Sequence, residues 1–110
     1  MQTSFAKALV LAALTAAVVL ISGGNAMAQD GKALYMTKGC MACHGADGKA
    51  PIMPVYPKIA GQNAAYIEQQ LNDFKTNKRT NGQSALMLGM TAPLTPAEIK
   101  ALAAYLSAVK

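Results

Sequence analysis

The two cysteines of this 110-residue chain and its only histidine stand together, in the segment Cys40-Met41-Ala42-Cys43-His44. The rest of the chain holds no other thiol or imidazole, which excludes any site that needs two histidines. A chain of this length forms one small domain, and domains of ~80 residues bury a marginal core that usually needs a covalent link or a cofactor. Folding therefore depends on what these five residues bind or crosslink.

Four interpretations of this spacing compete. A disulfide between Cys40 and Cys43 would close so small a loop that it constrains little of the unfolded chain. A thioredoxin-like redox pair needs a βαβ context, and no stretch alternates apolar and polar residues as a strand would. A zinc site needs four ligands, whereas this segment supplies three. C-x-x-C-H is instead the attachment sequence of c-type haem, in which both thiols add to vinyl groups and His44 binds the iron.

Residues 1–28 have the order of parts of a secretory signal peptide. Lys7 precedes an apolar run over residues 8–21, and Ala26-Met27-Ala28 supplies the small residues found before a cleavage site. The apolar run is shorter than the ~20 residues that span a bilayer. We predict cleavage between Ala28 and Gln29, export to the periplasm, and a mature domain over residues 29–110 that is not embedded in the membrane.

Three helices are predicted in the mature domain. The first runs from Gly31 to about Thr37. The second follows an N-cap at Asn63 and runs to about Thr76, with an apolar stripe at i, i+4 and i+7. The last begins with the capping box of residues 95–98, which has proline at the first helical position.

Two long irregular stretches are predicted between these helices. Residues 50–57 contain Pro51, Pro54 and Pro57, which forbid a regular helix there. The second stretch, residues 77–89, contains two glycines among polar and apolar residues. Loops of this length in so small a domain indicate that a bound group fills its centre. The predicted fold class is therefore all-α, with long loops around a cofactor.

The single histidine leaves the other axial position of the iron to a different side chain. Met36, Met41 and Met53 lie close in sequence to the attachment segment, and thus on its side of the ring. Met87 and Met90 lie far enough along the chain to reach the opposite face. His/Met ligation is used by electron-transfer cytochromes and raises the reduction potential. Spacing alone does not separate Met87 from Met90.

The chain resembles a class I cytochrome c. It is similar to small bacterial monohaem carriers and to one half of the dihaem cytochromes c with subscript four. The resemblance rests on four ordered segments, which are residues 39–48, 56–62, 66–74 and 87–106. It implies a fold of about three to four helices wrapped around one covalently attached haem c.

The resemblance also implies roles for individual residues. Cys40 and Cys43 become the thioether positions and His44 the proximal ligand. The axial methionine of the family lies seven residues before a leucine that here matches Leu94, which selects Met87 and leaves Met90 as the alternative.

Two further contacts follow from the same resemblance. The family's proline, whose carbonyl accepts the proximal imidazole N–H, matches Pro54, with Pro51 as the alternative. The first and last helices of the family cross, which would place Gly31 and Tyr35 against Ala104 and Tyr105.

A haem with two axial ligands suits one-electron transfer, so we predict an electron carrier and not an enzyme. The formal net charge is +5, and it falls by one to +4 when Lys7 is removed. A basic rim would guide the carrier to redox partners with acidic docking surfaces. Its candidate members are Lys49, Lys58, Lys75, Lys78 and Arg79.

No basic cluster exceeds Lys78-Arg79, so nucleic acid is not an expected partner, and we expect a monomer. One alternative is the cytochrome subunit of a periplasmic oxidoreductase that acts on sulfur compounds or alcohols. Another is a haem sensor or peroxidase with an open sixth position.

Overall fold

The structure of the protein, a computed structural model, describes residues 23–110. Most of the predicted signal peptide therefore lies outside the described residues. The described residues contain helices and no strand, which confirms the all-α prediction, and none of these helices is long and apolar enough to cross a membrane. The helices are α1 (Gly23–Thr37), α2 (Met41–His44), α3 (Ala64–Lys75), α4 (Ser84–Thr91) and α5 (Pro96–Ala108).

Helix α1 begins earlier than predicted, at Gly23 and not at Gly31. Ala26 and Ala28 are strong helix formers, and extending an existing helix by one residue is far easier than nucleating it. The predicted cleavage site after Ala28 therefore falls inside α1. Cleavage there would leave Gly31 and Tyr35, the residues that pack against α5, in the mature chain.

The crossing of α1 and α5 is built on a glycine. A Cβ placed on Gly31 would lie 2.0 Å from the carbonyl oxygen of Ala101 and 2.6 Å from the Cβ of Tyr105. Beside this contact the rings of Tyr35 and Tyr105 pair with centroids 5.5 Å apart. The predicted crossing is thus observed, with Ala101 in the place expected for Ala104.

Helix α5 supplies most of the core. Its predicted capping box is present: the Thr95 hydroxyl accepts from the Glu98 amide at 3.1 Å, and the Glu98 carboxylate accepts from the Thr95 amide at 3.0 Å. The helix then buries its apolar stripe against α1 and α3. The core cluster comprises Tyr35, Ile67, Leu94, Ile99, Leu102, Ala103 and Leu106.

Helix α3 agrees closely with its prediction. Ile67 and Phe74 are buried and Leu71 packs against the core, so the predicted stripe faces inwards. Asn63 occupies the N-cap position in an extended conformation, although its side chain makes no capping hydrogen bond.

The predicted irregular stretch over residues 77–89 is confirmed for residues 77–83 and wrong for residues 84–89, because α4 occupies Ser84–Thr91. The run Ala85-Leu86-Met87-Leu88 consists of good helix formers, and their propensity outweighs the glycine that follows. Gly89 is exposed, and a Cβ there would meet no atom within 4 Å, so no turn requires this glycine. Together with the single turn of α2, this helix raises the number from three or four to five.

Candidate haem-binding site

The attachment segment, residues 40–44, is wound into one helical turn. The His44 amide donates to the Cys40 carbonyl at 3.1 Å, and the Cys43 amide donates to the same oxygen at 3.3 Å. Residues three apart lie on one face of a helix, so this turn presents both cysteines in the same direction. Both thiols are free and partly buried. The local geometry is that needed to attach one planar group through two sulfur atoms.

Burial raises the pKa of the Cys40 thiol above its ordinary value, and the neighbouring Cys43 adds to the shift. A catalytic dithiol needs the opposite change, because the thiolate is the attacking species. The structure thus argues against a thioredoxin-like redox pair, in agreement with the sequence analysis.

The imidazole of His44 is buried and held by one hydrogen bond. Its Nδ1 donates to the carbonyl oxygen of Pro57 at 2.8 Å. A carbonyl oxygen only accepts, so Nδ1 carries the proton and Nε2 keeps its lone pair. This is the tautomer in which a histidine binds a metal through Nε2, with its orientation fixed by the bond at the other nitrogen.

The prediction that Pro54, or alternatively Pro51, supplies this carbonyl is wrong. The first part of the loop folds back on the attachment segment, where the Ile52 amide donates to the Cys43 carbonyl at 3.0 Å. A turn then follows, closed by the Tyr56 amide on the Met53 carbonyl at 3.0 Å. Only after this turn does the chain reach the imidazole, which makes Pro57 the acceptor.

Helix α4 carries both candidate methionines and brings Met90 close to the attachment segment. Met90 is 41% exposed, and its Cε lies 3.6 Å from the position that a Cβ on Gly39 would take. Gly39 directly precedes Cys40, so Met90 lies beside the start of the attachment segment. Met87 is half-buried one turn earlier, and its carbonyl accepts from the buried hydroxyl of Thr91 at 2.7 Å.

These residues suit a haem. The donor set consists of two thiols on one helical turn, an imidazole with a free Nε2, and thioethers on a helix that reaches the same segment. The polypeptide also leaves large apolar side chains uncovered in the loop after the segment and on α3 and α4. These are Ile52, Met53, Val55, Tyr66, Leu86 and Met90, between 41% and 62% exposed. Ile52 is hydrogen-bonded through its amide to the Cys43 carbonyl and Met90 lies beside Gly39, so part of this apolar surface adjoins the attachment segment, where it is suited to contact a macrocycle.

Two residues that form hydrogen bonds at the site, Pro57 and Tyr35, were not predicted to do so from the sequence. Pro57 lies within residues 56–62, one of the four segments on which the family resemblance rests. Its position in that segment is the sequence feature that could have indicated its role. Tyr35 was expected only to pack, but its hydroxyl donates to the Gly45 carbonyl at 2.6 Å. No sequence pattern indicates that contact, because the two residues belong to different elements.

The members of the predicted basic rim differ in exposure and in the contacts that they make. Lys75 donates to the Leu94 carbonyl, and Arg79 bonds Gln70 at 2.8 Å while lying over the ring of Phe74. Lys49, Lys58 and Lys78 are exposed. Lys49 and Lys58 line one surface groove together with Lys110. Two members of the predicted rim, Lys49 and Lys58, therefore lie close together on the surface, whereas Lys78 does not line this groove.

Fold and site together define a small all-helical protein that attaches c-type haem. Comparison with known proteins agrees with this: the cytochrome c family model matches residues 28–110. The chain belongs to the cytochrome c family, whose members are electron-transfer proteins that carry covalently attached haem c.

Two relatives show how much of the chain is similar to individual proteins. The chain is 40% identical to cytochrome c-554(548) of Halomonas halodenitrificans, over 62% of this chain and 81% of the relative. It is 33% identical to a thiosulfate dehydrogenase electron acceptor of Stutzerimonas stutzeri, over 87% of this chain and 46% of the relative.

A solved structure shows the same fold. The crystal structure of reduced recombinant cytochrome c4 from Pseudomonas stutzeri superposes with a TM-score of 0.69 at 34% identity, covering 78% of this chain and 50% of that one. The chain thus spans most of the Halomonas cytochrome and about half of the other two proteins.

Proposed function

We propose that the protein is a periplasmic one-electron carrier in which His44 and Met87 are the axial ligands of a haem attached through Cys40 and Cys43. When bound, such a haem supplies an iron that changes oxidation state with little ligand rearrangement. The chain's own part is to present two sulfurs and an oriented imidazole, and to bring a thioether to the opposite face.

The observation that carries the proposal is the hydrogen bond from His44 Nδ1 to Pro57 at 2.8 Å. It fixes the tautomer with its lone pair on Nε2 and makes the imidazole a stronger donor to a metal. His44 is also the only histidine of the chain, so no other imidazole competes for the position.

Two observations favour Met87 over Met90 as the second ligand. The thioether of Met90 lies beside Gly39, next to Cys40 and hence at the edge of the site where the ring is attached. Met87 lies one turn earlier on α4 and is less exposed to solvent than Met90. A partly shielded side chain suits a ligand that has to face the interior of the site.

The decisive experiment replaces each methionine by alanine. Met87→Ala is expected to abolish the long-wavelength absorption band that methionine ligation gives the oxidised protein, and to lower the reduction potential, because a thioether ligand raises it. Rapid binding of carbon monoxide by the reduced variant should accompany the change.

Met90→Ala is the matched control, since it removes the same side chain from the same helix. It should retain the band and the potential of the parent protein. If Met90→Ala loses the band while Met87→Ala keeps it, the assignment is reversed. If neither change matters, neither methionine is the ligand; rapid binding of carbon monoxide by the parent protein would then show an open sixth position and favour a sensor or peroxidase.

The periplasmic location is part of the proposal and depends on the signal peptide over residues 1–28. In support, the family match begins at residue 28, next to the expected cleavage point. The mass of the protein recovered from the periplasm of an expressing bacterium tests this, since cleavage after Ala28 makes Gln29 the first residue. A mass that retains residues 1–28 would contradict it.

A second candidate function is the cytochrome subunit of a periplasmic oxidoreductase. It is favoured by the likeness to the Stutzerimonas protein named as an electron acceptor of thiosulfate dehydrogenase. Isolation from the native cell distinguishes the two: a free carrier elutes at the size of a monomer, whereas a subunit elutes with a stoichiometric partner.

A further inference from the structure

Tyr35 makes hydrogen bonds to both ends of the attachment segment. Its backbone carbonyl accepts from the Cys40 amide at 3.1 Å, and its phenol hydroxyl donates to the Gly45 carbonyl at 2.6 Å. Cys40 opens the segment, and Gly45 directly follows His44. One residue of α1 therefore spans the whole stretch that holds the cofactor.

Tyr35 is itself held in place by the helix crossing. Its side chain is 0% exposed, and its ring packs against Tyr105 of α5. Burial raises the pKa of the phenol, with smaller contributions from Cys40, Tyr105 and Asp47, so the hydroxyl remains a donor at neutral pH. A rigid donor in the core thus meets the backbone of the site.

The acceptor is equally constrained. Gly45 has a φ of +91°, and a Cβ there would lie 2.2 Å from the carbonyl oxygen of Ala50. Its own carbonyl has one other donor, the Gly48 amide, at the longer distance of 3.3 Å. The orientation of the peptide group between Gly45 and Ala46, one residue after His44, therefore depends chiefly on the Tyr35 hydroxyl.

We infer that Tyr35 is a positioning residue for the proximal ligand, which sets the direction of the His44 imidazole by holding the backbone on both sides of it. Pro57 orients the ring through Nδ1, and Tyr35 orients the backbone from which the ring projects. This inference rests on the proposed role of His44 as an iron ligand.

Tyr35→Phe tests the inference, because it keeps the ring and the backbone bond to Cys40 and removes only the hydroxyl. In the oxidised holoprotein, the hyperfine-shifted NMR resonances of the His44 ring should move. The amides of His44, Gly45 and Ala46 should exchange with solvent about threefold to tenfold faster, because this segment opens more easily once the Gly45 carbonyl loses one hydrogen bond. The reduction potential should fall, because a carbonyl without its shorter donor presents more negative charge to the iron and favours the ferric state.

Tyr105→Phe is the matched control. It removes a hydroxyl from the other ring of the same pair, on a residue that is partly exposed. The potential and the His44 resonances of this variant should equal those of the parent protein. If Tyr35→Phe changes only the stability and otherwise matches this control, Tyr35 is a packing residue and the inference is wrong.

Two further results keep the test decisive. If the parent protein shows no hyperfine-shifted His44 ring, the ligand proposal fails and this inference fails with it. If Tyr35→Phe does not accumulate as holoprotein, the hydroxyl proton of Tyr35 is followed by NMR in the parent protein. Slow exchange together with a shift on reduction of the iron supports the inference, and exchange as fast as that of Tyr105 contradicts it.

Discussion

Replacing Gly31 by alanine is expected to destabilise the protein at the contact between α1 and α5. The new Cβ would lie 2.0 Å from the Ala101 carbonyl oxygen and 2.6 Å from the Cβ of Tyr105. Ala101 O is a backbone atom of α5, so no side-chain rotation relieves the contact. The two helices would have to move apart, and the core formed by their facing residues would open.

The magnitude follows from two opposing effects. Overpacking a well-packed contact costs about 1–3 kcal/mol. Replacing glycine by alanine inside a helix stabilises by about 1 kcal/mol. Since the obstructing atom belongs to the backbone, we use the upper end of the first range, and the free energy of unfolding should fall by about 2 kcal/mol. For a domain of this size the Tm should fall by roughly 8–16 °C.

Denaturant and thermal unfolding of the holoprotein measure the change, and Gly89→Ala is the matched control. Gly89 also lies in a helix, but a Cβ there meets no atom within 4 Å. That variant should gain up to about 1 kcal/mol from helix propensity alone. If Gly31→Ala is as stable as the parent protein, the close approach of α1 and α5 is not a constraint and the reasoning is refuted.

Two other predictions concern the cap of α5 and the surface charge. Thr95→Ala should lower the free energy of unfolding by about 1 kcal/mol, because the Thr95 hydroxyl accepts from the Glu98 amide. Thr95→Ser keeps a hydroxyl and should retain the stability. Equal losses of both variants in denaturant unfolding would contradict the role of the cap. Electron transfer to an anionic reagent should slow with rising salt, because the net charge of the chain is +5 and remains +4 after removal of Lys7. In stopped-flow measurements Lys58→Ala should flatten this dependence more than Lys32→Ala on α1, and equal slopes would exclude docking near Lys58.

Features that depend on local chemistry were predictable from the sequence. The attachment segment is a contiguous pentapeptide, so its spacing alone indicates the cofactor. The capping box at Thr95 and the stripes of α3 and α5 likewise involve residues within one or two helical turns of each other. Helix α4 was less predictable from the sequence. The glycines of residues 77–89 are typical of turns, whereas Ala85-Leu86-Met87-Leu88 favours the helix that forms.

The remaining features required the tertiary structure. Three prolines follow His44 within one loop, and only the path of that loop decides that Pro57, and not Pro54, accepts from the imidazole. Spacing alone does not separate Met87 from Met90; the family resemblance favours Met87, and in the structure the two side chains differ in exposure and in their neighbours.

The sequence by itself indicated the class of cofactor, named His44 as the candidate ligand and predicted an all-α fold. Each of these features is encoded by residues that lie close together in the chain. The tertiary structure decided which carbonyl orients the imidazole and which hydroxyl holds the backbone beside it. Tyr35 and Gly45 come together because α1 is fixed against α5, and Pro57 reaches His44 because the intervening loop first turns back. Contacts of this kind depend on the relative placement of separate elements, which no local pattern records.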